Sequence, residues 1–437
     1  MSVTWCRRAL VGGRFEEGVR IEADASGRVT RLTAGAGGDD AGLRLGTVVP
    51  GFGNAHSHLF HRALRGRTHA DGGDFWSWRE QMYAVAGTLD PDRYRALAVA
   101  VFAEMRAAGY TAVGEFHYVH HRPDGTPYPD HEMELALADA SEEAGIRLTL
   151  LDTCYLRGGL DRPLEPGQRR FGDGSAAAWL ERWHRLRDRL GDRRLVTLGA
   201  AVHSVRAVTE ADVATIVAGL PAGTPLHAHV SEQPLENEEC LARTGLTPTG
   251  LLARAGALGS RLTAVHATHL TDTDVALLGG AGVSVALCPT TEADLADGIG
   301  PARTLAGAGV RVAIGSDQNA VIDPLLELRA AEAHERLASG RRGVFDPADL
   351  WLMGTAHGYT SLGLGDPRAV PGLAVGDHCD LVELDDASPR TVGSRPDQLV
   401  LTATAADVRT VVVGGRVRPA PDVAALLAGA LERVSTS

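Results

Sequence analysis

From Asn54 to Ser316 the chain alternates short apolar, β-like runs with helical ones, and this alternation limits its fold more than any other feature of the sequence. Strands separated by helices read as a parallel sheet wrapped by its crossovers. Strand candidates fall at 53–56, 111–116, 148–152, 196–202, 225–230, 261–266, 283–287 and 310–316, with helical patterns between most of them. Eight such strands are what a (β/α)8 TIM barrel requires. The clearest helical unit opens at Asp90 and Pro91, a cap followed by a first-turn proline. Tyr94, Leu97, Ala98, Val101 and Met105 then recur at helical spacing, and Gly109 closes the run.

The two ends have a different texture. Residues 1–50 read as short strands at 19–21, 29–32 and 46–49 between Gly and Asp turns, ending at Pro50, Gly51 and Phe52. After a helical stretch near 350–364, strand character returns at 378–384 and 408–413, with Gly414 and Gly415 as a hairpin turn before Val417. The simplest α/β organisation is a catalytic barrel over 51–369 and one small β domain assembled from 1–50 and 370–437.

Composition removes several classes of function. Across 437 residues, 43 basic side chains against 55 acidic ones give a net charge of −12 with histidine neutral. That balance argues against a nucleic-acid or anionic-membrane surface. No apolar run approaches the roughly 20 residues of a membrane span. The first residues lack the apolar stretch and small-residue cleavage site of a secretory signal, so the expected location is the cytoplasm. Five cysteines without a close pair fit reduced thiols. Apart from histidine, every basic residue is Arg; with no Lys, a Schiff base, a P-loop lysine and a carboxylated lysine bridging two metals are all excluded.

Polar clusters collect at the C-terminal ends of the candidate strands, where barrel active sites are built. His56 and His58 are two apart, so in a strand both imidazoles face the same side and converge on one cation. His229 ends the strand at 225–230 and offers a third nitrogen, with Glu232 just beyond it. His266 ends 261–266, Asp317 ends the last strand, and His203 and Arg206 lie in the loop after 196–202. A buried histidine bonded to backbone, or a helix-capping aspartate, would explain any one of these, but not their joint placement. Three imidazoles and a carboxylate suit Zn²⁺, one per chain, with water completing the site. Fe²⁺ also fits, whereas Mg²⁺ and Ca²⁺ want more oxygen ligands.

These clusters and the split β domain resemble the amidohydrolase superfamily, in its single-zinc deaminase branch. The segments GNAHSH (53–58), FWSWREQMY (75–83), GEFHY (114–118), HSVR (203–206), HVSEQ (229–233) and CPTTE (288–292) resemble in particular the formimidoylglutamate deiminase family. The resemblance covers essentially the whole chain. It implies a TIM barrel of the metal-dependent hydrolase type carrying a small β-sandwich, and hydrolysis of N-formimino-L-glutamate to N-formyl-L-glutamate and ammonia in histidine degradation. It also implies a homodimer. Carried over residue by residue, His56, His58, His229 and Asp317 hold the metal, while Glu232, His266 and Asp317 handle protons. Two departures bear on the substrate: His61 stands where relatives carry Gln, and Gln318 and Asn319 follow the aspartate where a Ser-His pair is common.

The chemistry asks for these residue types. A formimino group is a protonated amidine whose carbon is already electrophilic, and what it lacks is a nucleophile. A metal lowers the pKa of bound water from 15.7 to about 7, which puts hydroxide within reach of that carbon. Asp317 then accepts a proton, His266 orients the nucleophile and Glu232 serves the departing nitrogen. A dicarboxylate substrate calls for arginines, with Arg206 and Arg79 as candidates and Tyr118, His203 and His61 as further pocket groups. His117, His120 and His121 read as structural or pocket-lining, since consecutive residues of a strand point apart. His269 reads as a loop residue and Cys288 as a small buried side chain. Trp76 and Trp78 read equally as pocket wall or core. Two alternatives remain: a mononuclear zinc deaminase of an amino-heterocycle of purine, pterin or triazine type, with an aromatic pocket and fewer arginines, and a barrel kept as a binding module.

Overall fold

The computed structural model describes residues 2–68, 75–366 and 370–434, without the side chains of residues 75–77, so Trp76 lies outside what is described. Four strands open the chain: β1 (Ser2–Val11), β2 (Arg14–Ala23), β3 (Val29–Thr33) and β4 (Leu43–Pro50). Eight more form the barrel: β5 (Phe52–Ser57), β6 (Tyr110–His117), β7 (Arg147–Cys154), β8 (Val196–Val202), β9 (Leu226–Val230), β10 (Leu262–His266), β11 (Ser284–Leu287) and β12 (Arg311–Ile314). Neighbours along this series pair in parallel in chain order. A parallel bridge between Ser57 and Asp317 brings the last strand back to the first. Every residue of β6 and β7 is buried, because helices cover one face and packed side chains fill the other.

Helices fill the connections: α1 (Phe75–Thr88), α2 (Pro91–Ala107), α3 (Glu132–Ala144), α4 (Ala176–Leu190), α5 (Glu210–Gly219), α6 (Pro234–Thr244), α7 (Pro248–Arg254), α8 (Asp272–Gly280), α9 (Pro289–Asp294), α10 (Ala302–Gly307), α11 (Pro324–Ser339), α12 (Pro347–Leu352) and α13 (Gly358–Ser361). In α2 the Asp90 carboxylate accepts the Arg93 amide at 2.8 Å, and the anticipated face of Tyr94, Leu97, Ala98, Val101 and Met105 is buried. Gly109 ends the unit at φ +102°, and a Cβ there would fall 3.2 Å from the Phe52 ring. Among the described residues, no helix is long and apolar enough to cross a membrane.

The chain then returns to the opening strands through β13 (Leu381–Leu384), a short α14 (Leu399–Thr402), β14 (Val408–Val413) and β15 (Arg416–Val417). The resulting seven-stranded sheet runs β15-β14-β13-β4-β1-β2-β3, parallel only between β1 and β4. It folds over on itself: Val29 donates to Asp377 O, Gly376 to Val29 O and Cys379 to Gly27 O, each at 2.8 Å. The fold encloses Cys6, Val19, Ile21, Leu45, Leu381 and Val412. The sandwich character expected here thus comes from one sheet doubled back, built from both ends of the chain. The final helix α15 (Val423–Val434), inside the stretch 370–437 read as β domain, lies instead on the barrel helix α2. Leu427, Ala430 and Val434 are buried, Arg106 donates to Pro419 O at 2.6 Å, and Thr88 to Val434 O at 3.5 Å.

Candidate metal centre and active site

His56 and His58 leave the end of β5 on the same side, as their spacing predicts. The chain just past His58 is anchored by Glu115 of β6, whose carboxyl accepts the Leu59 amide at 2.8 Å. Burial pushes the Glu115 pKa up to about 8, despite that bond and the Ser57 hydroxyl. His58 Nδ1 donates to Phe116 O at 3.0 Å, and His229 Nδ1 donates to His203 O at 3.0 Å. With the proton fixed on Nδ1, each Nε2 carries a bare lone pair, and both lone pairs face inward. His229 Nε2 lies 3.2 Å from His56 Nε2 and 3.3 Å from His58 Nε2. Asp317 Oδ1 lies 3.3 Å and 3.6 Å from the same two nitrogens of His56 and His58.

Nitrogen lone pairs and a carboxylate that converge in this way repel one another unless a cation sits among them. The electrostatics match. Burial in the first place, with His58 and His266 alongside, pushes the His56 pKa down to about 3 against Asp317. Burial likewise lowers His58 and His229. Asp317 is the reverse: burial opposes its charge, yet His56, His266 and His58 hold its carboxyl well below the usual range. Neutral imidazoles and an ionised carboxylate form the donor set of Zn²⁺ or Fe²⁺, and these residues fit such an ion.

Asp317 reaches this position three residues past the end of β12, not at its last residue, because the backbone there turns into the left-handed region (φ +43°). Its amide donates to His56 O at 3.0 Å, and its own carbonyl accepts the His58 amide at 2.9 Å. Gly315 permits the approach, since a Cβ there would fall 2.8 Å from His56 O. Asn54 and Ser316 exchange two bonds across the seam, at 2.7 and 3.0 Å, and Ser316 Oγ donates to Asn319 at 2.7 Å. Asn319 Nδ2 in turn reaches Ser57 Oγ, His58 O and Asp317 O, all at 3.1 Å. Asn319, a departure from the family pattern, is thus the clamp that closes the barrel under the centre. Its neighbour Gln318, which also lines the cavity, donates Nε2 to Asp294 at 2.6 Å.

The two groups expected to handle protons stand at neighbouring strand ends, Glu232 just past β9 and His266 at the end of β10. His266 Nε2 is 3.9 Å from both Asp317 Oδ2 and Glu232 Oε1, and its Nδ1 is 3.4 Å from Glu292 Oε1. Burial alone would keep this ring neutral, but Glu292, Glu232 and Asp317 outweigh it and push its pKa up to about 10. Glu232 also accepts Arg206 Nη2 at 3.0 Å, so the arginine expected to bind substrate is paired with the acid expected to serve it.

These groups open onto a cavity of about 270 Å³. His58, His61, Arg79, Tyr118, His203, Arg206, His229, Glu232, His266 and Asp317 all line it, while His56 is buried behind. His61 Nε2 is 3.2 Å from Tyr118 OH, and the His203 ring packs 4.3 Å from Tyr155. Arg79 gives Nε to Tyr83 OH at 2.7 Å. Trp78 lines the cavity while remaining part of the core. Cys288 is buried and its thiol pKa is raised by burial, which suits packing. His269 lies in the loop after β10 and meets Asp297 O at 2.7 Å. The sequence reading missed Tyr83, Tyr155, Arg157, Arg162 and Glu236 as cavity residues. Of these, Tyr83 closes the segment FWSWREQMY, and Glu236 carried a signal as the acid in the first turn of the helix that follows Glu232.

A model of the amidohydrolase family matches residues 47–418. The chain is 38% identical over 430 residues to formimidoylglutamate deiminase of Pseudomonas aeruginosa, covering 95% of this chain and 94% of that protein. It is 30% identical over 400 residues to a 5-methylthioadenosine/S-adenosylhomocysteine deaminase of Moorella thermoacetica, covering 87% and 86%. Among solved structures, an amidohydrolase from Brucella melitensis matches at a TM-score of 0.90 and 33% identity, over 99% of this chain and 100% of that one. An adenosine deaminase from Xanthomonas campestris with bound zinc shares the fold at a TM-score of 0.84 and 24% identity, over 99% and 97%. A barrel that closes on this histidine and aspartate set, in a chain whose likeness to a deiminase runs nearly end to end, belongs to the amidohydrolase family and hydrolyses carbon–nitrogen bonds.

Proposed function

We propose that the chain hydrolyses N-formimino-L-glutamate to N-formyl-L-glutamate and ammonia. The observation that carries this reading is a single cavity that joins the histidine–aspartate centre to four arginines, Arg79, Arg157, Arg162 and Arg206. That combination suits an amidine at one end of a molecule and carboxylates at the other. The near end-to-end likeness to a formimidoylglutamate deiminase points the same way.

His56, His58, His229 and Asp317 would hold the ion, zinc in first place and Fe²⁺ in second. Bound there, it supplies Lewis acidity and brings the pKa of water to about 7. The protein's own groups do the rest. Asp317 Oδ2, facing His266, takes the proton of the attacking water. His266, cationic among its three carboxylates, donates Nε2–H to the oxygen as charge gathers on it. Glu232 exchanges Arg206 for the amidinium and holds it in line. It then takes the proton of the newly bound hydroxyl and passes it to the departing nitrogen, so that the carbonyl forms as that nitrogen leaves, and the proton on Asp317 returns to solvent. The water oxygen forms the new bond to carbon, the bond to the terminal nitrogen breaks, and ammonia leaves. Arg206, released from Glu232, turns to a substrate carboxylate.

A second reading, deamination of an amino-heterocycle, is favoured by the aromatic wall of Trp78, Tyr83, Tyr118, Tyr155 and Phe171 and by the likeness to an adenosine-type deaminase. Ammonia release from N-formimino-L-glutamate, set against a panel of purines, pterins and triazines, decides between the two. Turnover of any ring with none of the formimino compound rejects our reading.

A further inference from the structure

Although the chain has a net charge of −12, one part of its surface is basic. Arg147 opens β7, Arg194 stands two residues before β8, and Arg416 and Arg418 lie on and just past β15. These are the N-terminal ends of the barrel strands, away from the histidine–aspartate centre. The β14–β15 hairpin brings the arginines together. Leu195 packs on Val411 and Val413 of β14, while its carbonyl accepts the Leu148 amide at 2.8 Å. Arg418 donates its amide to Val411 O at 3.1 Å, which continues the strand pairing past Val417. Arg416 and Arg418, two apart in extended chain, therefore leave on one face.

Glycines mark how closely the guanidiniums approach. A Cβ on Gly414, in the hairpin turn, would fall 3.4 Å from Arg194 Nη1 and 3.5 Å from Arg147 Nη2. A Cβ on Gly145, which ends α3, would fall 2.9 Å from Arg418 Nε and 3.1 Å from its Cζ. The acids nearby are already taken. Asp380 gives both oxygens to Arg147, at 2.6 and 3.1 Å, and Asp139 and Glu142 pair with Arg193 at 2.7 and 2.8 Å. Among the described residues, the side chains of Arg194, Arg416 and Arg418 form no hydrogen bond or ion pair. Burial and the like charges of Arg194, Arg416 and Arg147 hold the Arg418 pKa below its ordinary value. The end of α3 offers roughly half an elementary negative charge, which does not balance three guanidiniums.

We propose that Arg194, Arg416 and Arg418 form an anion site for a phosphate-bearing ligand, in the seam between the barrel and the β domain. None of the three lines the catalytic cavity. Guanidiniums fork onto phosphate oxygens through two parallel bonds, and an anion of two or more charges offsets several of them at once. Arg194 and Arg416 are exposed, so such an ion reaches them without rearrangement of the fold. A compact anion suits this place better than a nucleic acid, whose length would meet the acidic remainder of the surface.

The test is titration calorimetry of the metal-loaded protein with inorganic pyrophosphate at physiological ionic strength, with ATP titrated beside it. Pyrophosphate should bind, and Arg194→Met and Arg416→Met should each weaken it at least tenfold, since each removes charge-assisted bonds. Both side chains are exposed and unbonded, so the ligand-free variants should melt no lower than the wild type and keep their metal. Pyrophosphate should raise the melting temperature of the wild type more than that of either variant. If the site holds, ATP binding tighter than pyrophosphate identifies a nucleotide as the ligand, and weaker binding identifies the free ion. Absence of binding overturns the proposal. Binding that survives both substitutions also overturns it, whether the ion then sits at the metal or on Arg206. A wild-type dimer that Arg416→Met splits in sedimentation, or a single-stranded oligonucleotide that binds more tightly than ATP, would assign the patch to a different partner and overturn it as well.

Discussion

Two buried groups of histidines and carboxylates sit in this barrel, and opposite means hold them together. At the centre, His229 brings its Nε2 to 3.2 Å from that of His56 and 3.3 Å from that of His58, with Asp317 beside them. Next to β6, His117, His120 and His121 interleave with Glu134, Asp152 and Asp173 around a buried arginine. Arg182 donates to Glu134 at 3.0 Å and to Asp152 and Asp173 at 2.8 Å. His120 has acceptors on both ring nitrogens, Glu134 at 2.8 Å and Thr153 O at 2.9 Å, so it is held as the cation. The donor atoms of His117, His120 and Glu134 lie as close together as those of the centre. Proximity of ligating residue types therefore does not make a metal site. What separates the two groups is that one has its positive charge built into the chain as Arg182 and the other must receive it.

Chelation is the harshest way to break this contrast. Stripping metal at neutral pH should abolish ammonia release, and Zn²⁺ or Fe²⁺ should restore it, with one ion per chain by elemental analysis. Because an ion held at a hundredfold excess over Kd adds about 2.7 kcal/mol, the melting temperature should fall with the activity. Full turnover by protein verified as metal-free would mean that the lone pairs converge for some other reason.

Substitution at the centre comes next in size and separates holding the ion from moving protons. Asp317→Ala should cut turnover by roughly 10³-fold or more and lower metal content in parallel, since it removes a ligand and a base together. Glu232→Gln should lose about 10²- to 10⁴-fold in kcat while keeping its metal. If Glu232→Gln empties the site and Asp317→Ala does not, the roles are exchanged.

The gathering of these side chains was legible in the sequence because barrel strands put their last residues on one rim. His56, His58, His229 and His266 were found by reading where apolar runs stop. The clamp of Asn54, Ser316 and Asn319 was not, because its partners lie 262 positions apart along the chain and only the closed barrel brings them together. Arg157 and Arg162 sit in a loop with no periodicity, so nothing marked them among so many arginines. The first strand, β1, was missed because Arg7 and Arg8 interrupt its alternation; its register against β2 and β4 is set by pairing. The bond of Arg206 to Glu232 could not be anticipated either, since spacing gives which loop a side chain leaves but not which partner it takes.

On the other side of the comparison, Arg182→Met tests whether the second group is purely structural. Removing the guanidinium leaves three buried carboxylates with only the His120 cation to offset them, a loss of about 3–5 kcal/mol in unfolding free energy from denaturant midpoints at constant slope. Metal content of the folded variant should match the wild type. A parallel loss of metal would show that the two groups are one unit.

The gentlest test is titration, and its sign follows from the same charges. Against burial, His117, His120 and Arg182 hold Glu134 well below its ordinary 4.5, and Arg182, His121 and His120 hold Asp173 below its ordinary 3.8. Groups depressed in the folded state contribute stability that is fully present above their unfolded pKa values and is lost as pH falls through the folded ones. The contribution of these two carboxylates to stability should therefore be complete above about pH 4.5 and decline below it, on top of the loss below about pH 6.5 from the histidines that burial keeps neutral. His120 works in the opposite sense: burial and Arg182 favour its neutral form, but Asp152 and Glu134 prevail and raise its pKa above 6.5. Its contribution is complete below pH 6.5 and disappears as pH rises through the raised value. In Arg182→Met the part of the acid decline that comes from these carboxylates should be smaller and should be complete at higher pH, because they lose the charge that held them ionised. An acid limb that does not move would place the origin of that decline elsewhere, with the Arg147–Asp380 pair the next to test, since Asp380 is also held low by its arginine against burial.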